Sequence, residues 1–435
     1  MIDPIDYLFR LEQFGIKFGL ENIQTLCEEL SQPQETFRSV IVAGTNGKGS
    51  LMAMLDTALR AAGYRTGCYT SPHLIKLEER FVINGRAVST NALRREASIV
   101  YDAIELLRKQ GRLAAAPTFF EATTAVALSL FRRAGIELAL LEVGLGGRLD
   151  ATNVVLPIAA AITSIDLDHE RYLGTNIRDI AREKAGVIKP GMVAVVGESK
   201  ADAIEVFEEK CAEHSAHFVQ AKTDVRLHSK MQAGRLEMCL STPTRRYEPF
   251  TLALRGRHQV DNAIVATRLL EELGTLGLLI SPDAIVHGLS NAVWRGRLEL
   301  LDIAKRGKLL LDAAHNPAAA RALAAYLTEV HPTGLPIVFA TMKDKNTAAM
   351  LEALAPCATQ FICPILKTSR ATPAEETADL AKRIVPRVTV DVAQNCWSAV
   401  EKAWQMSGTV CAAGSLFLIG ELLDTLEHIE DVNPV

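Results

Sequence analysis

The stretch "VIVAGTNGKGSLMAML", residues 40–55, joins an apolar run to a helical pattern through a glycine-rich loop. Three glycines in six residues, Gly44, Gly47 and Gly49, surround Lys48. Glycine weakens both strands and helices, so this density needs a reason. The usual reason is a backbone that curls around an anion, because consecutive N–H groups and a helix N-terminus together bind phosphate.

The bulk composition limits the classes of protein that the chain can belong to. Its 435 residues predict two or three domains. Lys and Arg number 47 and Asp and Glu 51, a net charge of -4, which predicts neither a nucleic-acid partner nor a membrane surface. The N-terminus does not resemble a signal peptide, and no apolar run approaches the ~20 residues that span a bilayer. Eight scattered cysteines without a CxxC pair indicate reduced thiols, so we expect a cytoplasmic protein.

Short apolar runs alternate with helical patterns in the first two thirds of the chain. Continuous apolar segments that end in Gly or polar residues predict buried strands, at 39–44, 137–144 and 158–163. Helical patterns lie between them, at 48–62, 90–110, 119–134 and 176–186. This alternation predicts a mostly parallel sheet flanked by helices.

The alternation restarts near residue 290, after a joint rich in Gly and Arg. Five apolar runs follow, each with a helix-like segment behind it. We therefore predict an α/β protein with an N-terminal P-loop-type ATPase domain, residues 1–293, and a smaller C-terminal Rossmann-like α/β domain, residues 294–435.

The strand–glycine loop–helix context predicts a nucleotide site. Lys48 would bind the β- and γ-phosphates, and the Ser50 hydroxyl would bind Mg²⁺. The spacing GxxGKGS is shorter than the general GxxxxGK[ST] pattern, so a plain glycine turn before a helix is the alternative. A GTPase switch is a second alternative, but the chain has no DxxG, and "SKAD" at 199–202 begins with Ser199 where that class has Asn or Thr.

Polar residues end two of the predicted strands. One strand ends at Glu142, and the next ends in "DLDH", which contains Asp166, Asp168 and His169. Carboxyl ends of neighbouring parallel strands meet where α/β sheets bind ligands, so Glu142 and His169 would face the phosphates. A carboxylate with an imidazole suits a metal that also binds phosphate oxygens. The alternative for His169 is a helix N-cap or a surface histidine.

An ordered set of motifs makes a family resemblance specific. The chain resembles the folylpolyglutamate synthase/dihydrofolate synthase family of the Mur-ligase superfamily over about residues 40–345. The motifs are AGTNGKGS (43–50), SPHL (71–74), PTFFE (117–121), EVGLGGRLDATN (142–153), DH followed by LG (168–174), EKAGVIK (183–189), GRHQVDNA (256–263) and LDAAHNP (311–317).

The resemblance implies an ATP-dependent amide ligase with two Mg²⁺ sites. Its ATP-binding positions match Gly44, Thr45, Asn46, Gly47, Lys48, Gly49, Ser50, Asn262, Arg297, Asp312 and His315. One Mg²⁺ would bind Ser50 and Glu142, and the second would lie near Ser71, Glu142, His169 and Lys184. The sequence pattern alone predicts that Lys184 is a solvated helix lysine. The resemblance instead implies that Lys184 is carbamylated and that it is a catalytic residue together with Lys48 and His169.

The resemblance also implies a pteridine pocket built by PTFFE and the GGRLDATN turn. Its substrate positions match Ser71, Thr118, Phe120, Asp150, Ala151 and Asn153. An aromatic face would stack on the ring and a carboxylate would accept from its amino edge. The alternatives are a core aromatic for Phe120 and an Asx-turn cap for Asp150. The role of Glu121 is left open.

The implied reaction adds L-glutamate to dihydropteroate and to reduced folates through an acyl phosphate, with ATP as co-substrate. We expect the protein to be a monomer. Both organic substrates are acidic, so arginines are expected in the cleft, and the candidates are Arg80, Arg148, Arg295, Arg297 and Arg370. The alternatives are a monofunctional folylpolyglutamate synthase, a Mur-type ligase for another acid, and a nucleotide-dependent switch. Arg295, Ala313 and Asn346 depart from the common family pattern.

Overall fold

A computed structural model describes residues 3–15, 17–113 and 115–435 of the chain, with the side chains of Phe14 and Arg171 left out. The chain forms two compact units. The first contains Met1–His228, Cys239–Phe250 and Asp261–Ala292; the second contains Ser229–Met238, Thr251–Val260 and Val293–Val435. The second unit thus includes two segments that precede residue 294, and the predicted domain limits stay a prediction.

Up to residue 220 the chain builds an eight-stranded sheet. Its strands are β1 (Arg38–Ala43), β2 (Thr66–Tyr69), β3 (Phe81–Ile83), β4 (Arg86–Ala87), β5 (Leu138–Glu142), β6 (Ala159–Ile162), β7 (Val193–Val196) and β8 (His217–Gln220). The helices are α1 (Pro4–Arg10), α2 (Glu21–Glu29), α3 (Lys48–Ala61), α4 (Thr90–Lys109), α5 (Phe119–Ala134), α6 (Glu170–Leu173), α7 (Ile177–Ala185) and α8 (Ala201–Glu213). The predicted strands and helices of this region are confirmed.

The order of the strands is β4-β3-β2-β5-β1-β6-β7-β8. Strand β1 pairs in parallel with β5 on one side and with β6 on the other, so that Val42 lies opposite Glu142 and Ala161. Only the pairs β2–β3 and β3–β4 are antiparallel. Strands β5 and β6 are buried along their whole length, because apolar residues face helices on both sides of the sheet.

Three strands, β9 (Arg226–Gln232), β10 (Arg235–Ser241) and β11 (Arg246–Thr251), form a small sheet in the order β11-β10-β9. Helices α9 (His258–Thr275) and α10 (Pro282–Asn291) follow. Short 3-10 helices lie at Leu11–Phe14, Pro33–Glu35, Leu77–Arg80, Ala151–Val154 and Ala355–Cys357. Among the described residues no helix is both long enough and apolar enough to cross a membrane.

The remaining residues form a seven-stranded sheet with the order β16-β15-β14-β17-β13-β12-β18. Its strands are β12 (Glu299–Ile303), β13 (Gly307–Asp312), β14 (Leu335–Phe339), β15 (Ala358–Pro364), β16 (Thr389–Ala393), β17 (Thr409–Ala413) and β18 (Val432–Pro434). The helices are α11 (Pro317–Val330), α12 (Thr347–Leu354), α13 (Ala374–Ile384), α14 (Cys396–Trp404) and α15 (Leu416–Leu426). The predicted α/β class, with a mostly parallel sheet in each region, is confirmed.

Candidate active site

The glycine loop between β1 and α3 lies against the end of β6. Gly47 precedes α3 in a left-handed conformation, and Ser50 is buried in the first turn of that helix. The loop is tied to the neighbouring strand end because Thr163 Oγ1 donates to Asn46 O over 2.7 Å and Thr45 N donates to Ser164 O over 2.7 Å. These bonds hold the backbone of the loop in a fixed position at the carboxyl edge of the sheet.

Two of the loop glycines are required by space as well as by conformation. Gly44 has φ +140°, and a Cβ placed there would lie 1.8 Å from Thr163 Oγ1. Gly47 has φ +91°, and its Cβ would lie 2.4 Å from the side-chain oxygen of Asn262 in α9. The close approach to Gly47 brings Asn262, a predicted nucleotide-binding residue, to the loop.

Lys48 folds over its own loop. Its ammonium donates to Gly44 O over 3.0 Å and to Thr45 O over 3.1 Å. The carbonyl oxygens therefore hold the lysine cation inside the curl of the loop, at the helix N-terminus. A cation and a helix N-terminus at one place attract an anion such as a phosphate group.

Glu142 ends β5 directly beside the loop. Its side chain is buried, and Oε2 accepts a hydrogen bond of 3.0 Å from the backbone N–H of Ser71. The carboxylate and the two hydroxyls of Ser50 and Ser71 are the hard oxygen donors that Mg²⁺ binds, usually with few protein ligands because the ion keeps water and phosphate oxygens. Among the described residues no group of three or more His, Cys, Asp and Glu side chains forms a metal site. The oxygen donors therefore fit a Mg²⁺ ion that is bound mainly through a nucleotide.

Lys184 lies in α7 and is only 5% exposed. Its ammonium donates to Gly44 O over 2.9 Å, so Lys48 and Lys184 share this carbonyl oxygen. Burial, together with the charge of Lys48, lowers the pKa of Lys184 to about 7 against the opposing charges of Asp168 and Asp150. A large fraction of this buried lysine is therefore the neutral amine near pH 7. The expectation of a solvated helix lysine from sequence alone is wrong.

His169 precedes the four-residue helix α6 in a left-handed conformation, with φ 53°. Its side chain is 41% exposed, and its backbone N–H donates to Asp168 Oδ1 over 2.9 Å. His169 thus occupies the N-cap position that the sequence offered as one alternative, although its side chain makes no capping hydrogen bond to the helix. Its role as a metal ligand stays a prediction.

The turn that follows β5 is organised by Asp150. Its carboxylate is buried and accepts hydrogen bonds from the backbone N–H groups of Gly144, Leu145 and Thr152 and from the Thr152 hydroxyl, at 2.5–3.0 Å. Burial raises the pKa of Asp150, and these four bonds oppose the shift. A carboxylate has about four acceptor positions, so this one acts as the Asx-turn cap that the sequence offered as the alternative.

Asn153 ties the same turn to the helix that carries Lys184. Its side-chain amide donates to Arg148 O and to Gly186 O, both over 3.0 Å, and Arg148 N donates to Glu183 O over 2.8 Å. Hydrogen bonds thus connect the predicted pteridine turn directly to the end of the helix that carries Lys184. Ala151, also predicted there, is buried in the short helix that follows Asp150.

Thr118 and Glu121 form a capping box at the start of α5. Glu121 N donates to Thr118 Oγ1 over 3.1 Å, and Thr118 N donates to Glu121 Oε2 over 2.7 Å. This gives Glu121 the role that sequence reasoning left open, and the Thr-x-x-Glu spacing was the available signal. Phe120, in the first turn of α5, is half-buried. A Cβ placed on Gly144 would lie 2.7 Å from its ring.

The predicted nucleotide residues of the second unit lie at the end of β13. Asp312 is buried and accepts from Leu298 N and Ala314 N, each over 2.9 Å. Burial raises the pKa of Asp312, and the charge of Arg297 opposes that shift. His315 Nδ1 lies 2.9 Å from Ala313 O, which can only accept, so Nδ1 carries a proton.

The five candidate arginines differ in their surroundings. Arg148 is exposed and paired with Glu183, and Arg295 is exposed and paired with Glu299. Arg370 is exposed, and its guanidinium lies over the ring of Phe417. Arg297 is half-buried near Asp312. Only Arg80 of the five is buried.

Family models match most of the chain. The Mur ligase middle domain matches residues 42–270, and the Mur ligase glutamate ligase domain matches residues 296–416. An ATP-binding loop, a strand-end carboxylate and a second α/β unit together are the features of this class of ligase. Dihydrofolate synthase/folylpolyglutamate synthase of Bacillus subtilis is 32% identical over 96% of its own length and 95% of this chain. The chain belongs to the folylpolyglutamate synthase/dihydrofolate synthase family of the Mur ligases, as its motifs predicted.

Two archaeal relatives are much longer than this chain. They are probable bifunctional folylpolyglutamate synthase/dihydropteroate synthases of Halobacterium salinarum and Haloferax volcanii, each 35% identical. The match covers 96% and 83% of this chain but only 51% and 42% of theirs. The chain therefore spans about half the length of these first relatives.

Solved structures have the same fold over the whole chain. Mycobacterium tuberculosis folylpolyglutamate synthase complexed with ADP and AMPPCP has a TM-score of 0.90 and 30% identity, with 100% of both chains covered. Escherichia coli FolC in complex with DHPP and ADP has a TM-score of 0.85 at 28% identity, over 98% of both chains. A bifunctional folylpolyglutamate synthase/dihydrofolate synthase with Mn, AMPPNP and L-glutamate bound has a TM-score of 0.83 at 31% identity, over 98% of both chains.

Proposed function

We propose that this chain is an ATP-dependent amide ligase that adds L-glutamate to dihydropteroate and to the glutamate tail of reduced folates. The observation that carries the proposal is the grouping around Gly44: Lys48 and Lys184 bind its carbonyl oxygen, and Glu142 ends the neighbouring strand. Phosphate binding and carboxyl chemistry thus share one strand-end edge. The relatives named for both activities, and those with nucleotide, Mn and L-glutamate bound, support the assignment.

The chain's first task is to hold the triphosphate. The loop and the first turn of α3 present backbone N–H groups at the helix N-terminus, and Lys48 exchanges its bonds to Gly44 O and Thr45 O for bonds to phosphate oxygens. Asn262, which lies against Gly47, contacts the same nucleotide. In the second unit we assign nucleotide contacts to Arg297, Asp312 and His315, on the strength of the family motif.

Glu142, Ser50 and Ser71 are the residues that would hold Mg²⁺, and His169 and carbamylated Lys184 would complete a second site. Bound there, Mg²⁺ would neutralise phosphate charge during transfer. The residues contribute oxygen donors of the right kind, and the short Glu142–Ser71 contact keeps two of them together. The number of metal ions, two, comes from the family resemblance alone.

The reaction needs the activation of a carboxylate, whose oxygen is a poor leaving group. An oxygen of the substrate carboxylate attacks the γ-phosphorus, ADP leaves and an acyl phosphate forms. The amine of glutamate then attacks the carbonyl carbon, the C–O bond to phosphate breaks, and the nitrogen gives up its proton. The protein contributes position and charge neutralisation, chiefly through Lys48 and the N–H groups of the loop.

The burial of Lys184 supports its carbamylation. A neutral amine reacts with CO₂, whereas a protonated one does not, and burial holds the pKa of Lys184 at about 7. The N-carboxylated side chain is an anion, so the modification replaces a buried cation beside Lys48 with a negative group. Such an anion can hold a divalent cation that a bare ammonium would repel.

The pteridine ring is assigned to the pocket formed by the turn after β5 and the start of α5. We assign the aromatic face to Phe120 and further substrate contacts to Ser71, Thr118, Ala151 and Asn153, on the strength of the family motif. Because the Asp150 carboxylate already accepts hydrogen bonds from within the turn, we propose that Asp150 shapes this pocket. A monomeric state and a cytoplasmic location also remain predictions.

The experiment is to incubate the protein with ATP, Mg²⁺, L-glutamate and either dihydropteroate or tetrahydrofolate, and to measure phosphate and amide product. Glutamate-dependent phosphate release with both acids is expected. Turnover with tetrahydrofolate alone would leave a monofunctional folylpolyglutamate synthase. No turnover with any pteroate or folate would contradict the proposal, and turnover with a uridine-nucleotide acid would indicate another Mur-type ligase.

A further inference from the structure

Arg80 is a buried arginine of the first unit that the assigned functions leave unused; Arg268, buried in the same unit, is paired with Glu271 and Glu272. It ends the short helix Leu77–Arg80, directly before β3, and is 7% exposed. Its guanidinium lies over the ring of Phe119, 5.0 Å from the ring centre. A cation inside a protein normally has an anion beside it, because removing a charge from water is costly.

The hydrogen-bond partners of Arg80 are neutral. Its Nε donates to His73 Nδ1 over 2.9 Å. The Tyr69 hydroxyl lies close to the guanidinium but forms its own hydrogen bond of 2.7 Å with Thr123 Oγ1. Because His73 Nδ1 accepts the bond from Arg80, it carries no proton, and the imidazole is an uncharged acceptor. Neither group compensates the positive charge.

The carboxylates nearest in sequence are occupied elsewhere. Glu79 accepts three backbone bonds, from the N–H groups of Leu74, Ile75 and Lys76, at 2.7–2.9 Å. Across residues 3–15, 17–113 and 115–435, no carboxylate oxygen lies within the 4.0 Å of an ion pair from the guanidinium nitrogens of Arg80. Glu12 and Glu142 act on Arg80 only as more distant charges, which raise its pKa against the effect of burial.

The position of Arg80 connects the two halves of the proposed site. Tyr69, which lies close to Arg80, packs against Phe120, the aromatic face assigned to the pteridine, with ring centres 5.7 Å apart and planes tilted by 34°. The segment from Ser71 to His73 connects Arg80 to the phosphate end, because Ser71 N donates to Glu142 Oε2 over 3.0 Å and His73 Nδ1 accepts from Arg80. A pteridine acid that extends from Phe120 towards the phosphates therefore brings its carboxylate past this guanidinium.

We propose that the Nη groups of Arg80 bind the substrate carboxylate that the reaction activates, so that Arg80 sets which acids the site accepts. The inference rests on the proposed function for the identity of the acid. Nε is used by His73 and one planar face by Phe119, which orients the rest of the fork. A planar fork of two amino groups matches a carboxylate in a way that an ammonium does not.

The test compares two ligands that differ only in the carboxylate. Binding of dihydropteroate and of its decarboxylated analogue is measured by fluorescence titration in the presence of ADP, for the wild type, Arg80→Met and Arg80→Lys. Loss of a charge-assisted hydrogen bond should weaken dihydropteroate binding by Arg80→Met on the order of 10- to 100-fold. Binding of the analogue should stay unchanged, and Arg80→Lys should recover part of the loss.

Arg108→Met is the matched control, because Arg108 is a surface arginine in an ion pair with Glu105. If Arg80→Met does not fold, Arg80→Lys keeps the buried charge, and the ratio of its two affinities gives the same comparison. Equal losses for both ligands, or no loss for either, would overturn the role of Arg80 and leave the proposed function standing. A wild type that binds neither ligand would overturn the substrate class and this role together.

Discussion

Lys184 shows how a fold changes the chemistry of a single side chain. In water its ammonium would stay charged, but α7 buries it beside Lys48, and its pKa falls from the ordinary 10.5 to about 7. The sequence around it gives no sign of this, because whether a helix lysine is buried depends on which element packs over it. The family motif singled out Lys184 as a candidate, and the structure shows that burial changes its pKa.

The stability of the protein should carry the pH signature of Lys184. Because its folded pKa is lower than its unfolded pKa, unfolding takes up a proton between about pH 7 and 10.5, so the cost of burial is complete below pH 7 and lost above 10.5. Lys184→Met, which removes this cost, should therefore raise the melting temperature relative to wild type by several degrees more at pH 6 than at pH 9. The measurement is thermal unfolding in bicarbonate-free buffer.

Lys109→Met serves as the control for this comparison, because Lys109 is exposed at the end of α4. Its effect on the melting temperature should be equal at the two pH values. A Lys184→Met shift that is also independent of pH would show that the lysine is not buried in solution.

Glu142 is the residue whose charge should matter most for catalysis. Glu142→Gln keeps a side-chain oxygen that can accept from Ser71 N but removes the negative charge. We expect turnover to fall at least about 100-fold, the size typical for loss of one electrostatic group at a reaction centre, with a melting temperature close to that of wild type. Steady-state phosphate release measures the first and thermal unfolding the second. Lys48→Ala should behave in the same way, and near-normal rates in either variant would contradict the site.

At the scale of elements, the loop between β1 and α3 could be predicted from the sequence, because glycine is unfavourable in both strands and helices and three glycines lie close together there. The density of glycine before a helical pattern predicted the loop, and the structure adds the reason for Gly44, the contact with Thr163. The sequence offered two roles for Asp150 in the turn after β5, a substrate contact and an Asx-turn cap. Its hydrogen bonds show the cap, and the substrate contact stays a prediction.

Gly44→Ala should abolish nucleotide binding and destabilise the first unit, because its Cβ would collide with Thr163 Oγ1 at 1.8 Å in addition to the strain of φ +140°. Gly191→Ala is the control: φ is +72° there, but nothing lies within 4 Å of the added carbon. That variant should lose only the conformational cost, roughly 1–2 kcal/mol, and bind nucleotide normally. Equal effects of the two substitutions on nucleotide affinity, measured by titration calorimetry, would show that space at Gly44 does not matter.

Asp150→Ala should raise the KM for dihydropteroate more than the KM for tetrahydrofolate. The substitution frees the N–H groups of Gly144 and Leu145 and loosens the turn next to Phe120. Tetrahydrofolate carries a glutamate whose carboxylates supply further contacts, so it should depend less on the pteridine pocket. Initial rates with each substrate decide the matter, and equal increases in both KM values would undo the assignment of the pocket.

For the whole molecule, strand–helix alternation was sufficient to predict two α/β regions with mostly parallel sheets, because strands apolar on both faces must be covered on both sides. The limits of the compact units were beyond such reasoning. The strands β9 and β10 contribute residues 229–238 to the second unit from the middle of the chain, and only long-range packing decides this. Arg80 was one of five candidate arginines in the sequence, and burial alone distinguishes it.

The central claim is that the protein activates a carboxyl group by phosphorylation at the Lys48–Glu142 edge. The most direct measurement uses dihydropteroate labelled with ¹⁸O in its carboxylate, together with ATP, Mg²⁺ and L-glutamate, and follows the label by mass spectrometry. The account predicts one ¹⁸O atom in each phosphate released and one amide formed for each ADP. Phosphate without ¹⁸O, or ATP hydrolysis without amide product, would contradict it.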